Sequence, residues 1–424
     1  MSKALHLKNG RIIDPLQQRD EVSDLWVKDG VIVDGRSLDA ASVEVYDLQG
    51  CWVVPGLIDM HVHLREPGEE YKETIESGCR AAAAGGFTAV ACMPNTKPVN
   101  DNSSVTAYIL EKAASCAARV YPVGAISQDS NGEKLAEYGE MKAAGAVALT
   151  DDGRPVVDSR LMRRAMEYAS SHGMLIMSHA EELSLSRGGC MHEGAVSTRL
   201  GLRGIPAAAE SIMVFREIAL AELTGARVHI SHVSTEQSLA LIAEAKARGV
   251  KVTAETAPHY FTLTEQAVMG YKTHAKMNPP LRTEKDRQAI LAALKDGILD
   301  AIATDHAPHS VLQKEVEFNM AANGITGLET SLSLSLALVR DGIIGPIRLI
   351  ELMSCSPARI LGVAGGSLSV GDVADVTVID PERRFTFSAE KGFSKGKNTP
   401  FDGWNLQGKA IMTLVAGQIT HKDF

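Results

Sequence analysis

Residues 53–63, VVPGLIDMHVH, form an apolar run that ends in two histidines, His61 and His63. In an extended strand, residues two positions apart point to the same side. Two such imidazoles can share a metal ion, although two histidines satisfied by other contacts would give the same pattern. The stretch therefore predicts a buried strand with a candidate metal-binding end.

Downstream of this stretch, from about Trp52 to Ala364, short apolar runs alternate with longer amphipathic ones. The segments 158–173 and 234–249 resemble helices that open on an Asp or Ser/Thr cap and close on Gly. Alternation of this kind is typical of βα units around a parallel sheet, and eight units predict a closed (β/α)₈ TIM barrel over residues 56–364. The eight strand candidates are VVPGLIDMHVH, GFTAVACMPN, RVYPVGAI, GAVALTDD, GMLIMSHA, RVHISHVS, KVTAETAPH and LDAIATDHAPH.

The two flanks, residues 1–55 and 365–424, show short alternating strands with turn signals. The clearest are LHLKNGRIIDP and LWVKDGVIVDGRS before the barrel, and GDVADVTVID and GKAIMTLVAGQIT after it. Neither flank could bury a core alone. We therefore expect both termini to pair into one small β-sandwich domain beside the barrel, which makes the chain an α/β protein of two parts.

Composition narrows the class of protein further. The chain has 424 residues and a formal net charge of −9, with acidic and basic residues interspersed. Nothing in this pattern suggests a nucleic-acid or anionic-membrane partner. The start lacks a secretory signal pattern and no apolar run is long enough to cross a bilayer, so we expect a cytoplasmic protein. Six cysteines without a CxxC pair are expected to be reduced and mostly buried.

Polar residues able to bind metal or substrate stand at the ends of most strand candidates. In a (β/α)₈ barrel these ends converge on one face, where active sites lie. Four imidazoles with one or two carboxylates exceed the needs of one tetrahedral ion, and a bridging carboxylate would allow two ions. The strand-end residues are His61, His63, Asn95, Asp151, Asp152, His179, His232, Asp305 and His309.

Aspartates end two of the strand candidates, in TDDG and at Asp305. Asp151 and Asp152 are neighbours in TDDG, so one is expected to enter the barrel mouth while the other faces away, and the spacing does not choose between them. Asp305 closes the run LDAIAT, where adjacent cations would keep it ionised. It could ligate a metal and accept a proton, and a metal-activated water beside such a carboxylate is what amide hydrolysis requires.

At these residues the sequence resembles the amidohydrolase superfamily and, more closely, the long-chain class I dihydroorotases of bacteria. The likeness covers most of the chain. HVH alone is found across the superfamily, whereas HLREPG together with MPNT and DHAPH is much more specific. The motifs that carry the resemblance are PGLIDMHVHLREPG, CMPNT, TDDG, SHAE, HISHVST, KMNPPLR, ATDHAPH, NGITGLET and GSLSVGDVADVTVID.

The resemblance implies a binuclear metal centre with zinc as the default ion, since the ligands are histidines and carboxylates without thiolate. It places one ion on His61, His63 and Asp305 and the other on His179 and His232, with Asp152 bridging them. The related hydantoinases and dihydropyrimidinases supply a carboxylated lysine from strand four instead. No lysine stands in TDDG.

The resemblance also implies a substrate site. The residues matching the family's grip on the substrate carboxylate are Arg65, Asn95 and His309, and those matching its ring contacts are Asn278 and the main chain near Asn323 and Gly324. A guanidinium suits a carboxylate, and the similar motif of allantoinases has no arginine at this place. One departure is PHY, where many relatives have PHH, so any role of a second histidine is lost at Tyr260.

The activity implied is the reversible cyclisation of N-carbamoyl-L-aspartate to L-dihydroorotate in pyrimidine synthesis, with a metal-activated bridging hydroxide and Asp305 as proton shuttle. Two alternatives remain: another cyclic amide hydrolase acting on a hydantoin or allantoin, and a catalytically silent, dihydroorotase-like partner of aspartate carbamoyltransferase. Silent relatives are expected to lack metal histidines, and all four are present here. A homodimer and an association with aspartate carbamoyltransferase are left open.

The stretch after the strand-eight motif, residues 310–322 (SVLQKEVEFNMAA), is charged and lacks a clear strand period. Its length favours a loop over the barrel mouth, with a short surface helix as the alternative. Related enzymes use a flexible loop in this region. We therefore expect a mobile cover that orders when substrate binds.

Overall fold

The computed structural model describes residues 4–35 and 43–424, so the ends of the predicted segments at 1–3 and 36–42 lie outside the described residues. The bulged strand β1 pairs with β4 at its start and with β5 near its end, and β2 lies antiparallel to it. The five strands at this end of the chain are β1 (Ala4–Asp14), β2 (Arg19–Lys28), β3 (Val31–Val33), β4 (Val43–Asp47) and β5 (Trp52–Pro55).

Ten further strands lie between residues 57 and 302: β6 (Leu57–Val62), β7 (Phe87–Cys92), β8 (Arg119–Gly124), β9 (Ala148–Leu149), β10 (Leu175–Ser178), β11 (Met191–His192), β12 (Gly204–Ile205), β13 (Val228–Ile230), β14 (Val252–Thr256) and β15 (Ala301–Ile302). β11 and β12 pair with each other, and the other eight form one parallel sheet in chain order. A parallel bridge between Val62 and His306 links the last strand to the first. The predicted (β/α)₈ barrel is confirmed, with one of these strands in each of the eight candidates.

The opening stretch VVPGLIDMHVH differs from its prediction in one respect, because it contains two strands. β5 ends at Pro55 and β6 begins at Leu57, so the chain passes from the terminal sheet to the barrel at Gly56. A Cβ at Gly56 would lie 2.2 Å from Thr88 Oγ1, which leaves room for glycine alone. The run was interpreted as a single strand candidate, although the Pro55-Gly56 pair within it is a common turn signal.

Helices follow most of the barrel strands. The caps are as predicted for two of them: the Asp158 side chain accepts from the backbone N–H groups of Arg160 and Leu161, and Thr235 accepts from that of Ser238. The α-helices in the described part of the chain are α1 (Ile75–Ala84), α2 (Ser103–Ala113), α3 (Tyr138–Ala144), α4 (Ser159–Ser171), α5 (Leu183–Ser186), α6 (Ala195–Leu200), α7 (Ala208–Thr224), α8 (Glu236–Ala247), α9 (Pro258–Thr262), α10 (Glu284–Lys295), α11 (Val311–Lys314), α12 (Ser331–Arg340), α13 (Pro346–Ile350) and α14 (Ser356–Leu361). Single 3₁₀ turns lie at 128–130, 265–268, 273–275 and 389–391, and a π turn at 351–355.

The chain then returns to the terminal sheet with β16 (Val376–Thr386), β17 (Asn405–Val415) and β18 (Gln418–Lys422). β16 runs antiparallel to β5, so the predicted pairing of the two termini is confirmed, and they form one eight-stranded sheet. This sheet has a hydrophobic core of its own, which includes Leu7, Ile12 and Leu414. The exact domain limits remain a prediction: residues 1–55 and 365–424 for the terminal domain, and residues 56–364 for the barrel.

All six cysteines are free and four of them are buried, which agrees with the expected absence of a disulfide framework. Among the described residues, no helix combines the length and apolarity needed to span a membrane.

Candidate metal centre and substrate pocket

The predicted metal ligands gather at the carboxyl ends of the barrel strands. His61 belongs to β6, and His179 and His232 follow β10 and β13 within two residues. The ring centroid of His232 lies 5.3 Å from that of His61 and 4.7 Å from that of His179. Residues up to 171 positions apart in sequence therefore surround one point, as the strand-end pattern predicts.

The donor atoms form two groups that share one carboxylate. His61, His63 and Asp152 make the first group, and Asp152, His179 and His232 make the second, each with its donor atoms within 4.8 Å of one another. Asp305 joins the first group, since its Oδ1 lies 3.1 Å from His63 Nε2. All six side chains are buried.

The spacing of these atoms fits divalent metal ions. His61 Nε2 and His179 Nδ1 lie 3.4 and 3.5 Å from Asp152 Oδ1. Two ligands of one tetrahedral ion with bonds of about 2.0–2.1 Å are separated by about 3.3 Å. His61 Nε2 is buried without a hydrogen-bond partner, as expected of a nitrogen kept for a metal. A set of imidazoles and carboxylates without thiolates suits zinc and similar ions.

The choice between the two aspartates of TDDG is clear in the structure. Asp151 turns away from the histidines: its Oδ1 accepts from the backbone N–H groups of Ile126, at 2.8 Å, and Ser127, at 3.1 Å. Asp152 faces the histidines. Burial would raise the pKa of Asp152, but the neighbouring imidazoles, His61 foremost, outweigh it and hold that pKa well below its usual range.

Two carboxylates that the sequence interpretation missed, the buried Glu255 and the half-buried Glu181, orient the histidines. Glu255 Oε1 lies 2.7 Å from His61 Nδ1, and Glu181 Oε2 lies 3.2 Å from His179 Nε2. Each contact occupies one ring nitrogen and leaves the other facing Asp152. Burial opposes ionisation of Glu255, yet its contacts with His229 and His61 lower its pKa to about 2. Glu255 stands inside the buried strand candidate KVTAETAPH, and that unusual position was the available signal.

Three residues around the centre have left-handed backbone conformations. The φ angles are 63° at Arg65, 39° at His232 and 49° at Asp305. Such angles are costly for residues other than glycine and persist where the surrounding structure enforces them. All three strained residues line the pocket at the barrel mouth.

A pocket of about 190 Å³ opens beside the donor groups. Every residue predicted as a metal ligand or substrate contact lines it except His61, which is fully buried. The lining residues are His63, Arg65, Asn95, Asp152, Gly153, His179, His232, Asn278, Asp305, Ala307, His309, Asn323 and Gly324. The volume suits a small ligand such as a single ring with one or two substituents.

Arg65 places a buried positive charge in the lining of this pocket. Its side chain is buried, and Nε donates to the carbonyl of Pro308 at 3.2 Å. Within residues 4–35 and 43–424, no carboxylate lies within 4.0 Å of the guanidinium. Burial lowers the pKa of Arg65, but the group stays charged. A buried cation without an ion-pair partner is suited to an anionic ligand.

The other predicted substrate residues already have protein partners. Asn95 Oδ1 lies 2.9 Å from His63 Nδ1, and Asn278 Nδ2 donates to Glu181 at 3.1 Å. Burial and the adjacent charge of Arg65 lower the pKa of His309 to about 3, so its imidazole is neutral. These contacts place the side chains at the pocket, while their roles toward a ligand remain predictions.

Main-chain groups of Asn323 and Gly324 also form hydrogen bonds within the protein. The carbonyl of Asn323 accepts from His309 Nε2 at 2.7 Å, and the N–H of Gly324 donates to the carbonyl of Lys276 at 3.0 Å. The carbonyl of Gly324 accepts from Lys314 Nζ at 3.0 Å. Any contact between the Gly324 main chain and a ring would have to replace one of these bonds.

The stretch 310–322 combines the two predicted forms, because the short helix α11 is followed by an irregular loop. Lys314 is 1% exposed and donates to the carbonyl of Ala322 at 2.8 Å, and Lys276 donates to that of Ala321 at 2.6 Å. Two buried lysines thus hold the loop beside the pocket. Its mobility remains a prediction.

His259 and Tyr260 lie close to the centre without entering the donor groups. His259 is buried, and burial lowers its pKa to about 4. Tyr260 donates its hydroxyl to the carbonyl of Pro279 at 2.6 Å. The hydroxyl of Tyr260 therefore makes a structural contact and does not face the donor groups.

A barrel with imidazoles and carboxylates at its strand ends, beside a pocket that holds a buried cation, defines a metal-dependent amidohydrolase. Solved structures agree with this class. An L-hydantoinase (dihydropyrimidinase) from Arthrobacter aurescens matches with a TM-score of 0.89 and 26% identity over 99% of this chain and 96% of that one. A dihydropyrimidinase from Brevibacillus agri gives 0.86 and 25% over 99% and 95%.

Sequence comparisons narrow the class to one family. A family model described as "Dihydro-orotase-like" matches residues 50–238. A protein named dihydroorotase from Desulfotalea psychrophila is 68% identical, covering 97% of this chain and 98% of the relative. A dihydroorotase from Geobacter metallireducens is 58% identical over 99% of both chains. The chain belongs to the dihydroorotase family.

Proposed function

We propose that this chain interconverts N-carbamoyl-L-aspartate and L-dihydroorotate as a metal-dependent cyclic amide hydrolase. The observation that carries the proposal is the buried, unpaired guanidinium of Arg65 beside two histidine-aspartate donor groups. A ring amide at the donor groups and a carboxylate at Arg65 are the two features that dihydroorotate combines. The family relationship supports the same substrate.

The proposed centre holds two divalent ions, with zinc as the default. His61, His63 and Asp305 would hold one ion, and His179 and His232 the other. Asp152 belongs to both donor groups, which supports its role as the bridging ligand. Glu255 and Glu181 would fix the imidazole orientations through the ring nitrogens that face away from the ions.

The substrate would bind with its carboxylate against Arg65, Asn95 and His309, which places the ring amide toward Asp305. When bound, the ions would polarise the amide carbonyl and lower the pKa of a water molecule. Asp305 accepts the proton of the attacking water and delivers it to the ring nitrogen as the carbon-nitrogen bond breaks. The carbonyl carbon becomes the side-chain carboxylate of N-carbamoyl-L-aspartate.

Ring closure uses the same residues in reverse. Asp305 begins protonated, gives its proton to the departing oxygen, and regains one from the carbamoyl nitrogen as the ring forms. Hydrolysis requires the ionised form of Asp305 and cyclisation the protonated form. Low pH should therefore favour closure of the ring.

The alternatives have weaker support. The solved neighbours include hydantoinases, but TDDG offers Asp152 where those enzymes are expected to carry a modified lysine. A neutral hydantoin or allantoin would leave the buried Arg65 without a carboxylate in direct contact, which is less favourable than an anionic ligand. A silent partner of aspartate carbamoyltransferase has no need of four converging histidines. Association with that enzyme and homodimer formation remain predictions.

The test is a steady-state assay of purified protein with dihydroorotate, hydantoin and allantoin, before and after chelation of metal. We expect turnover of dihydroorotate that chelation abolishes and added zinc restores. Preferred turnover of hydantoin or allantoin would establish the first alternative. Stoichiometrically metal-loaded protein that acts on none of the three would contradict an enzymatic role.

A further inference from the structure

The connection between β16 and β17, residues 387–404, leaves the terminal sheet and reaches the mouth of the barrel. Its Ser394 hydroxyl and the Lys395 N–H, the latter at 3.1 Å, donate to the buried carboxylate of Glu73. A Cβ on Gly396 would lie 2.6 Å from that of Pro308. The connection is thus packed directly against the loop after barrel strand eight.

The side chain of Asn398, in this connection, forms hydrogen bonds to two segments that border the pocket. The side chain is 2% exposed, and its Oδ1 accepts from the backbone N–H of His309 at 2.8 Å. Its Nδ2 donates to the carbonyls of Ala307 and Gly324, each at 3.0 Å. One amide therefore joins the strand-eight loop to the loop that carries Gly324.

Both joined segments border the substrate pocket. His309 and Gly324 line it, and His309 Nε2 lies 3.4 Å from the Arg65 guanidinium. The N–H of Thr326 also donates to the main-chain carbonyl of Asn398 at 2.9 Å, so the contact extends along the second loop. A shift of Asn398 would move His309 relative to Arg65.

We propose that Asn398 is a positioning residue of the substrate pocket: by holding the His309 N–H and the Gly324 carbonyl, it sets the anion-binding side of the pocket. The barrel alone does not complete this side, because the residue comes from the connection within the terminal sheet. The inference rests on the proposed function in one respect, namely that the ligand carries a carboxylate.

Two variants and one control test the proposal in zinc-loaded protein. Asn398→Ala removes all three side-chain bonds, whereas Asn398→Asp keeps the acceptor for His309 and places an oxygen against two carbonyls. The control is Asn405→Asp, at an exposed position where β17 begins. The readouts are KM and kcat for dihydroorotate, the Kd for orotate, and metal content.

We expect both Asn398 variants to raise KM and the orotate Kd by about tenfold, the cost of a lost buried hydrogen bond, with a smaller fall in kcat. Metal content should not change, and Asn405→Asp should behave as the wild type. In a His309→Ala background, Asn398→Ala should raise the orotate Kd by less than about threefold. The reason is that substitutions of two residues that act through one another do not have additive effects.

A ligand-free measurement separates this proposal from the function. Asn398→Ala should accelerate hydrogen exchange of the His309 amide, and Asn405→Asp should not. Normal orotate affinity in both Asn398 variants, or fully additive effects with His309→Ala, would overturn the positioning role. Failure of the wild type itself to bind orotate or turn over dihydroorotate would instead overturn the proposed function, and the carboxylate part of this inference with it.

Discussion

The Nδ1 atom of His61 lies 2.7 Å from Oε1 of Glu255, inside the barrel and away from solvent. The same carboxylate reaches His229 Nε2 at 3.2 Å through its other oxygen. Glu255 therefore fixes the His61 ring and leaves its Nε2 toward Asp152 and Asp305. The orientation of the donor group depends on a residue that is not itself a proposed ligand.

Glu255→Gln should destabilise the metal-free protein in a pH-dependent way. The pKa of about 2 lies below the value of about 4.3 expected in the unfolded chain. A lowered pKa contributes stability above pH 4.3 that is lost as the pH falls toward 2, with an upper limit on the order of 3 kcal/mol. The difference in unfolding free energy from wild type should therefore shrink between pH 6 and pH 3, measured with urea.

Glu133→Gln, in an exposed loop, is the matched control and should show no such trend. A Glu255→Gln difference that stayed constant over this pH range would contradict the ionised state of Glu255.

His179→Ala and His232→Ala should each abolish most activity, because each removes a donor from the second group. We expect a loss of at least about a hundredfold in kcat/KM, with lower zinc content and little change in the Tm of the metal-free protein. The control is His172→Ala, at a half-exposed position after α4. Full turnover by His232→Ala protein holding a single ion would rule out the two-ion proposal.

Arg65→Met should weaken substrate binding without loss of metal. The lost charge-assisted contact is worth about 1.5–3 kcal/mol, which corresponds to roughly 10- to 150-fold in KM. Arg187→Met, at an exposed position, provides the control. Normal handling of dihydroorotate by Arg65→Met would show that the guanidinium is not the carboxylate site and would favour a neutral substrate.

The stretch 310–322 should exchange amide hydrogens faster without ligand than with orotate bound. Lys314→Met should accelerate exchange in the free protein, because it removes the donor to the Ala322 and Gly324 carbonyls. Lys285→Met, at an exposed position on α10, is the control. Equal protection in both states, with unchanged turnover after the stretch is shortened, would exclude a lid.

Much of this architecture could be predicted from the chain because it follows local patterns. Alternating apolar runs and capped helices reveal the βα units, and polar residues such as His179 and His232 stand at recognisable strand ends. A barrel then brings those ends together whatever their separation in sequence. The fold and the set of donor residues were therefore accessible from periodicity and position.

The remaining features depend on contacts between distant segments. Nothing local shows that Asp151 would bind the backbone at Ile126, which leaves Asp152 for the histidines. The link from Asn398 to His309 joins residues 89 positions apart, and it requires the close approach at Gly396. Side-chain orientation and such long-range packing are set by the assembled fold, which periodicity does not encode.

The most direct test of metal-dependent ring closure by this chain is zinc titration of metal-free protein while cyclisation of N-carbamoyl-L-aspartate is followed at slightly acidic pH. We expect no closure without metal and activity that rises with added zinc to a plateau at about two equivalents per chain, the capacity of two tetrahedral ligand sets. Absence of ring closure at every zinc loading, in protein that remains folded, would contradict the proposed activity.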